Sequence, residues 1–332
     1  MRRRILIRVL AILLGIIAIA MVPSLLVALF DHDSQSVRAF LYPLVICTSG
    51  AALALILGRS TAVSFNAGDG FLLVSLAWFL TSILGSIPFI LTGVTANPVD
   101  AFFESVSGFT TTGATIFADV EHLPRAILFW RAMTHWLGGM GIIALFVAII
   151  SIGVRANQLF KAEVPGPTSD KISPRIRETA KSLWKAYIVI TAACVLSLVA
   201  AGMEPFDAVC HSFATLATGG FSTKNASIGF YKSPAIHWII TFFMFMSGVN
   251  FALHFIAMRK GHFRIYWRNA EFKLYLSIVL IAGLTAAISL NNAQPEGGWE
   301  KPVRDAFFQV VSIMTTTGFA TADYDKWPAL AA

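Results

Sequence analysis

Charged residues are scarce in this sequence. They make up 13% of the 332 residues, whereas hydrophobic residues make up 56%, and the mean hydropathy is +0.71. A typical soluble domain carries roughly 25% charged residues. The shortage of charge excludes an ordinary soluble domain and indicates an integral membrane protein.

Cysteine is also scarce, since Cys47, Cys194 and Cys210 are the only three. All three lie in apolar stretches, and their separations match no metal-binding spacing. We therefore expect buried, inert thiols rather than a metal site or a disulfide framework. The sequence predicts no bound cofactor.

Seven apolar runs are long enough to cross about 30 Å of hydrocarbon, which takes roughly 20 helical residues. Lipid cannot satisfy open backbone groups, so all seven are predicted to be helices. The first run has features of a secretory signal peptide, but its length favours an uncleaved helix. The runs cover residues 5–30, 37–57, 71–91, 126–152, 183–201, 235–258 and 272–290.

The net charge of +7 does not indicate a nucleic-acid partner, because most basic residues lie in three segments, one at the start of the chain and two between apolar runs. These segments begin near Arg2, Arg155 and Arg259, and they share one side if the runs alternate. The positive-inside rule places that side, with the N-terminus, in the cytoplasm. The basic, proline-rich segment 154–182 is either a docking surface for a regulatory ring or a solvated connection.

Three segments between the apolar runs share one pattern. In each, an Asp-Ala pair precedes a glycine at the same separation, and a threonine stands two positions before the glycine. A register kept three times indicates an internal repeat of about 100 residues. The three sets are Asp100, Thr111 and Gly113; Asp207, Thr218 and Gly220; and Asp305, Thr316 and Gly318.

Each repeat is predicted to open with a short helix. Pro98, Pro205 and Pro302, each followed by an aspartate expected in the first turn, favour helix N-termini at these points. About a dozen helical residues span roughly 18 Å, too little to cross a bilayer. Each helix is therefore predicted to enter the membrane and return to the outer side, where it lines a water-filled path.

The Thr/Gly stretch after each short helix has the composition of a cation selectivity filter. A narrow pore replaces the water around a cation with oxygens, and extended backbone offers one carbonyl per residue. Glycine permits the dihedral angles that this requires. We expect the ion at the carbonyls of Thr111, Thr112, Thr218, Gly219, Thr316 and Thr317, with Gly113, Gly220 and Gly318 beside them.

Other polar residues near these stretches carry separate expectations. Glu104 should hydrogen-bond the loop or a neighbouring helix rather than the ion, because a lone charge in hydrocarbon is costly. Arg131 should snorkel to the outer interface, and cation positioning is the alternative. We expect His135, His211 and His254 to be hydrogen-bonded scaffolding, with proton relay as the alternative. Gly138 and Gly141 are expected to permit close helix packing. Asn250 is expected to bridge helices, with contact to the ion as the alternative.

These residues resemble the Trk/Ktr/HKT superfamily of potassium transporters over nearly the whole chain. The matching motifs are "FFESVSGFTTTGATIF", "FWRAMTHWLGGMGI", "ATGGFST", "GVNFALHF" and "TTTGFATADYDKWP". A helix pair before the first repeat makes the bacterial TrkH/TrkG branch the most similar. The resemblance implies an all-α polytopic membrane protein with helix, re-entrant pore loop, helix units around a central ion path.

The resemblance also implies a function and partners. The function is potassium uptake across the bacterial inner membrane, driven by the membrane potential, with H+ or Na+ symport left open. The loop carbonyls would hold K+, and Rb+ as well. The implied assembly is a homodimer in the lipid bilayer with a cytosolic nucleotide-binding subunit of the TrkA type, and no enzyme activity or catalytic residue is implied.

The predicted organisation departs from the family at one point, since the family has four pore loops and this sequence carries three. A fragment of a transporter is favoured, a non-conducting truncated or accessory subunit is the alternative, and a membrane-embedded enzyme is more distant because no catalytic cluster is present. The segments are 1–60, a helix pair; 69–153, pore unit 1; 154–182, a cytoplasmic linker; 183–258, pore unit 2; 259–271, a second linker; and 272–332, an incomplete pore unit 3.

Overall fold

The computed structural model describes residues 2–57, 67–141, 176–293 and 298–328. Regular structure in these ranges is helical, without strands, so the predicted all-α class is confirmed. The α-helices are α1 (Arg2–Phe30), α2 (Ser34–Leu57), α3 (Ala67–Leu91), α4 (Pro98–Phe109), α5 (Arg125–Gly139), α6 (Ile176–Ala200), α7 (Pro205–Leu216), α8 (Pro234–Ser247), α9 (Phe251–Lys260), α10 (Arg264–Arg268), α11 (Ala270–Ala293) and α12 (Glu300–Met314).

Five of the described helices, α1, α2, α3, α6 and α11, are long and apolar enough to cross a membrane. They lie where five of the seven apolar runs predict them. The predicted span 126–152 is helical from Arg125 to Gly139, and its residues from 142 onward lie outside the described part of the chain. The second half of the linker 154–182 already contains the start of α6 at Ile176.

The predicted span 235–258 is not one continuous helix. It divides into α8 and α9, which meet at an angle of 98°. The side-chain oxygen of Asn250 accepts a hydrogen bond from the Ala252 N–H at 3.0 Å and caps the start of α9. Asn250 therefore starts a new helix instead of bridging two helices, because a capping side chain competes with the helical backbone for its N–H groups.

His254 connects α9 to the end of α8 across the break by a hydrogen bond. Its Nε2 lies 2.8 Å from the carbonyl oxygen of Met246, near the end of α8, and its Nδ1 lies 2.8 Å from the Tyr266 hydroxyl. A carbonyl can only accept, so Nε2 carries the proton and Nδ1 accepts from Tyr266. The expectation that His254 is hydrogen-bonded scaffolding is confirmed.

The chain forms two compact units. The first contains Met1–Thr110, Ala114–Phe117 and His122–Trp184. Within it, α1 packs against α2, α3 and α5, and α4 packs against both α3 and α5. The buried Trp130 ties α5 to α3, because its indole N–H donates to the Gly85 carbonyl at 2.9 Å.

The second unit contains Thr111–Gly113, Ala118–Glu121 and Lys185–Ala332. Within its described residues, α8 packs against α7 and α12, and α12 packs against α11. Ala286, Ala287 and Ala306 lie at the α11 and α12 contact, where their small side chains let the two helices approach.

The cap on α9 predicts a measurable contribution to stability. Replacing Asn250 with Ala should lower the free energy of unfolding by about 1 kcal/mol, because the N–H of Ala252 loses its partner. Asn250→Asp keeps an oxygen acceptor and serves as the control. Thermal unfolding in detergent micelles should show a lower Tm for the alanine variant only, and equal Tm values for both variants would contradict the capping role.

Candidate functional site

Three short helices precede the Thr/Gly stretches, as the repeat predicts. Helices α4 and α7 have 12 residues each and begin with proline, and α12 has 15 residues. The third repeat departs from the expected start, since α12 begins at Glu300, two residues before Pro302. Asp305 therefore lies in the second turn, and Glu300 takes the acidic position of the first turn, where it pairs with Arg304 at 2.8 Å.

The backbone after each short helix follows the same unusual path. The φ angles are +55° at Thr111, +51° at Thr218 and +57° at Thr316. The glycine two positions later has φ of +76° at Gly113, +82° at Gly220 and +79° at Gly318. A β-branched residue with positive φ is rare and costs about 1–3 kcal/mol. Backbone strain repeated at three equivalent positions marks these loops as candidate functional elements.

The three loops lie side by side within the second unit. A Cβ atom added to Gly113 would overlap the carbonyl oxygen of Gly219, and one added to Gly220 would overlap the carbonyl oxygen of Thr317. Backbone thus meets backbone from loop to loop, and only glycine permits the approach. The nine predicted site residues, Thr111, Thr112, Gly113, Thr218, Gly219, Gly220, Thr316, Thr317 and Gly318, all belong to this unit.

A buried ion pair holds the chain that leaves the first loop. The Glu104 carboxylate accepts hydrogen bonds from the Thr115 hydroxyl at 2.9 Å and from the Ile116 N–H at 3.0 Å. Arg131 donates to the same carboxylate at 2.7 Å and to the Thr115 hydroxyl at 3.0 Å. The expected hydrogen-bonding role of Glu104 is confirmed.

The expectation that Arg131 snorkels to the interface is wrong. Its side chain is 2% exposed and Glu104 is 0% exposed. A buried carboxylate requires a counter-charge, and the guanidinium supplies one together with hydrogen bonds to a second partner. Arg131 therefore lies inside the first unit, where it also faces the ring of Phe117 at 5.7 Å.

The second and third repeats use the same position for a similar purpose. His211 stands four residues after Asp207, as Glu104 stands four after Asp100. Its Nε2 lies 2.9 Å from the Ser222 hydroxyl and its Nδ1 lies 2.8 Å from the Asp207 carbonyl, which confirms scaffolding for His211. In the third repeat Gln309 donates to the Ala322 carbonyl at 3.4 Å. We call Glu104, His211 and Gln309 the clasp residues.

A serine adds a second attachment in two repeats. The Ser107 hydroxyl donates to the Ala114 carbonyl at 2.6 Å, and the Ser312 hydroxyl donates to the Phe319 carbonyl at 2.7 Å. Both acceptors lie seven residues after the serine. Sequence reasoning missed the serines and the equivalence of the clasp residues, although the repeat register aligns them.

Asp207 supports the second loop from the start of α7. Its carboxylate accepts from the Thr223 hydroxyl at 2.8 Å and the Tyr231 hydroxyl at 2.7 Å, and Lys224 lies 3.1 Å away. Burial acts to raise the pKa of Asp207, but these hydrogen bonds outweigh it and hold the pKa below its usual value. The carboxylate is therefore kept charged, opposite Lys224.

The segment that follows the second loop joins the other two. The side-chain oxygen of Asn225 accepts a hydrogen bond from the Val120 N–H at 2.7 Å. The backbone N–H of Asn225 donates to the Glu121 carboxylate at 3.0 Å. Further along, the Gly229 N–H donates to the Ala320 carbonyl at 3.0 Å. These cross-links, which sequence reasoning also missed, tie the residues that leave the first and third loops to the segment between them.

The close packing predicted behind the loops is confirmed at Gly138. A Cβ atom there would overlap the carbonyl oxygen of Phe109, so α5 rests directly on the end of α4. Gly141 lies beyond the end of α5 at Gly139 and has a φ of +63°, so the two glycines do not share one helix as their spacing predicted. His135 is buried in α5, and the three cysteines are buried as predicted.

Long apolar helices, together with short helices that end in strained Thr/Gly loops, define a polytopic membrane protein with re-entrant loops. The family model for TrkH, a cation transport protein, matches residues 36–284. The chain is 42% identical to the Trk system potassium uptake protein TrkH of Halomonas elongata, over 99% of this chain and 68% of that protein. It is 33% identical to the Trk system potassium uptake protein TrkG of Escherichia coli, over 95% of this chain and 65% of that protein.

A solved structure agrees with these sequence relatives. The crystal structure of the potassium transporter TrkH from Vibrio parahaemolyticus matches with a TM-score of 0.87 and 38% identity. The match covers 99% of this chain and 68% of that one. The chain belongs to the TrkH family of cation transport proteins, which confirms the resemblance found in the motifs.

The Glu104 and Arg131 pair predicts an asymmetric response to mutation. Glu104→Gln leaves Arg131 buried without its counter-charge and should lower the free energy of unfolding by roughly 3–5 kcal/mol. The double variant Glu104→Met/Arg131→Met removes both charges and should recover much of the lost stability. Thermal unfolding in detergent measures both effects.

The exposed pair of Lys326 and Asp323 provides the matched control, because its members are 82% and 52% exposed. Lys326→Gln should leave the Tm unchanged, since a surface pair contributes little. If Glu104→Gln were equally neutral, the buried pair would not be what holds the first loop.

Proposed function

We propose that this chain forms the ion path of a potassium uptake transporter in the bacterial inner membrane, with the three Thr/Gly loops as walls of its selectivity filter. The observation that carries the proposal is the strained backbone shared by Thr111, Thr218 and Thr316. Such strain persists only where the surrounding structure enforces it, and it concentrates at functional sites. Here the clasp residues, the serines and the loop-to-loop contacts enforce it.

The chemistry of the proposed filter is ion coordination by backbone oxygens. Each loop offers consecutive carbonyls, and those of Thr111, Thr112, Thr218, Gly219, Thr316 and Thr317 replace the water around K+ or Rb+. Each short helix ends at its own loop, so its partially negative C-terminus adjoins the carbonyls of that loop. Inward movement is favoured by the membrane potential, worth about 2.3 kcal/mol per charge per 100 mV.

Potassium is proposed as the ion because the relatives from Halomonas elongata and Escherichia coli are both named Trk system potassium uptake proteins. The loops lack the second glycine and the tyrosine of a strict potassium-channel filter. We therefore propose weaker discrimination between K+ and Na+ than such channels achieve. The activity is transport rather than catalysis, and whether H+ or Na+ symport contributes is a separate question.

The proposed assembly follows the names of the relatives as parts of a Trk system. We propose a homodimer that works with a cytosolic nucleotide-binding subunit of the TrkA type. The N-terminus and the basic segments that begin near Arg155 and Arg259 face the cytoplasm in this arrangement. Most of the segment 154–182, the suggested docking surface, lies outside the described residues.

Rubidium-86 uptake into proteoliposomes tests the proposed function. The protein is reconstituted, an inside-negative potential is imposed, and excess external K+ serves as competitor. We expect uptake that K+ suppresses and that collapses with the potential. Potential-driven uptake that K+ fails to suppress would contradict potassium transport.

Two glycines distinguish the effect of a close contact in the filter from the effect of backbone strain alone. Gly220 and Gly202 have similar φ angles, +82° and +90°, but only Gly220 faces a neighbouring carbonyl oxygen, whereas a Cβ at Gly202 would meet nothing within 4 Å. Gly220→Ala should reduce rubidium-86 uptake by at least about tenfold, equivalent to about 1.4 kcal/mol in the barrier. Gly202→Ala should retain uptake, and equal losses in both variants would assign the effect to strain alone.

Gly113→Ser tests selectivity within the same assay. The added side chain would overlap the Gly219 carbonyl, one of the proposed ligands, and displace it. We expect Na+ to compete with rubidium-86 more effectively in this variant, because K+ preference depends on the placement of the carbonyls. An unchanged ratio of K+ to Na+ inhibition constants would remove Gly113 from the filter.

A further inference from the structure

The chain between the bent helix pair and α11 is rich in basic and aromatic residues. We define residues 259–273 as the basic-aromatic segment, which contains α10. The α8 and α9 pair and α11 are both candidate membrane spans, so this segment lies at a membrane boundary. Its positive charge assigns it to the cytoplasmic side. The inference that follows depends on this placement and not on the proposed ion specificity.

Two large aromatic side chains of this segment face outward. Phe263 is 70% exposed and Trp267 is 62% exposed, although both are expensive to leave in water. Phe263 directly precedes α10 and Trp267 lies within it. Aromatic residues in such positions are typical of the boundary between hydrocarbon and headgroups.

Four basic side chains of the segment are also exposed, namely Arg259, Arg264, Arg268 and Lys273. Within the described part of the chain, none of the four forms an ion pair or a side-chain hydrogen bond. Arg264 and Arg268 are four residues apart and adjacent in sequence to Phe263 and Trp267. Residues 263–268 thus carry two exposed aromatic rings and two guanidinium groups that have no partner among the described residues.

The segment is held in place rather than loosely attached. The Tyr266 hydroxyl donates to His254 at 2.8 Å, which fixes the middle of α10 to α9. The ring of Phe272 contacts those of Tyr266 and Trp267, with centroids 5.3 and 6.0 Å apart. Tyr266 is anchored in this way, while Phe263, Arg264, Trp267 and Arg268 remain exposed.

We propose that the basic-aromatic segment binds anionic phospholipid headgroups, with Arg264 and Arg268 on the phosphate and Phe263 and Trp267 in the interfacial layer. Topology alone requires the positive charges but does not account for the exposed rings. Arginine binds phosphate oxygens in a bidentate manner, and basic clusters next to a membrane helix attract anionic lipid. An anionic lipid surface satisfies both the charges and the rings.

The test is a lipid titration of the intact protein in neutral detergent, followed by thermal unfolding. Phosphatidylglycerol should raise the Tm at a concentration about 30-fold lower than phosphatidylcholine does. Two basic residues at an anionic surface contribute about this factor in affinity. Arg264→Gln/Arg268→Gln should abolish this preference. An equal response to the two lipids in the unaltered protein, or a full preference in the double variant, would overturn the proposal.

Controls separate this site from net charge and from other occupants. Arg38→Gln/Lys301→Gln removes the same charge from exposed positions elsewhere and should keep the lipid preference. Soluble glycerol phosphate should not reproduce the shift, because it carries the headgroup charge without an interfacial layer. If it does, the site binds free phosphate rather than a lipid surface, and the proposal fails. If the double variant loses binding of a cytosolic regulatory subunit but keeps its lipid response, the surface docks protein, and the proposal fails.

Discussion

The structure depends on one constraint, which is that backbone at membrane depth needs partners for its N–H and C=O groups. A long helix satisfies them internally, but the three Thr/Gly loops do not form helices, so other residues must supply the partners. The Ile116 N–H reaches a carboxylate, and the carbonyls of Ala114 and Phe319 reach serine hydroxyls. The attachments around the loops therefore replace the partners that a continuous helix would have supplied internally.

The three clasp residues show that chemically different side chains can attach the chain that follows a loop. Glu104 is charged and needs Arg131 beside it, whereas His211 and Gln309 perform the comparable attachment without a buried charge on their own side chains. The first unit therefore contains a buried ion pair that depends on both members, since either charge alone is unfavourable there. Equivalent loops in one fold can thus have unequal tolerance to mutation.

The features that could be predicted from the sequence depend on residues close together in the chain, whereas those that it did not reveal depend on residues far apart. Hydropathy predicted the long helices, and the Asp, Thr and Gly spacing predicted the loops, because both signals are local and repeated. Hydropathy missed the break after Ser247, since it averages over the Asn250 cap. The burial of Arg131 depends on Glu104, 27 residues earlier, and the Asn225 bond to Val120 spans 105 residues. No local pattern records such pairs.

The glycines of the loops are subject to two constraints that the structure separates. All three have positive φ, but at Gly113 and Gly220 a neighbouring loop also occupies the space of a side chain, whereas a Cβ at Gly318 would meet no atom of the described chain within 4 Å. Positive φ alone is tolerated by threonine two positions earlier in every loop. The close approach of the neighbouring backbone, more than the dihedral angle, is therefore what requires glycine at the first two positions.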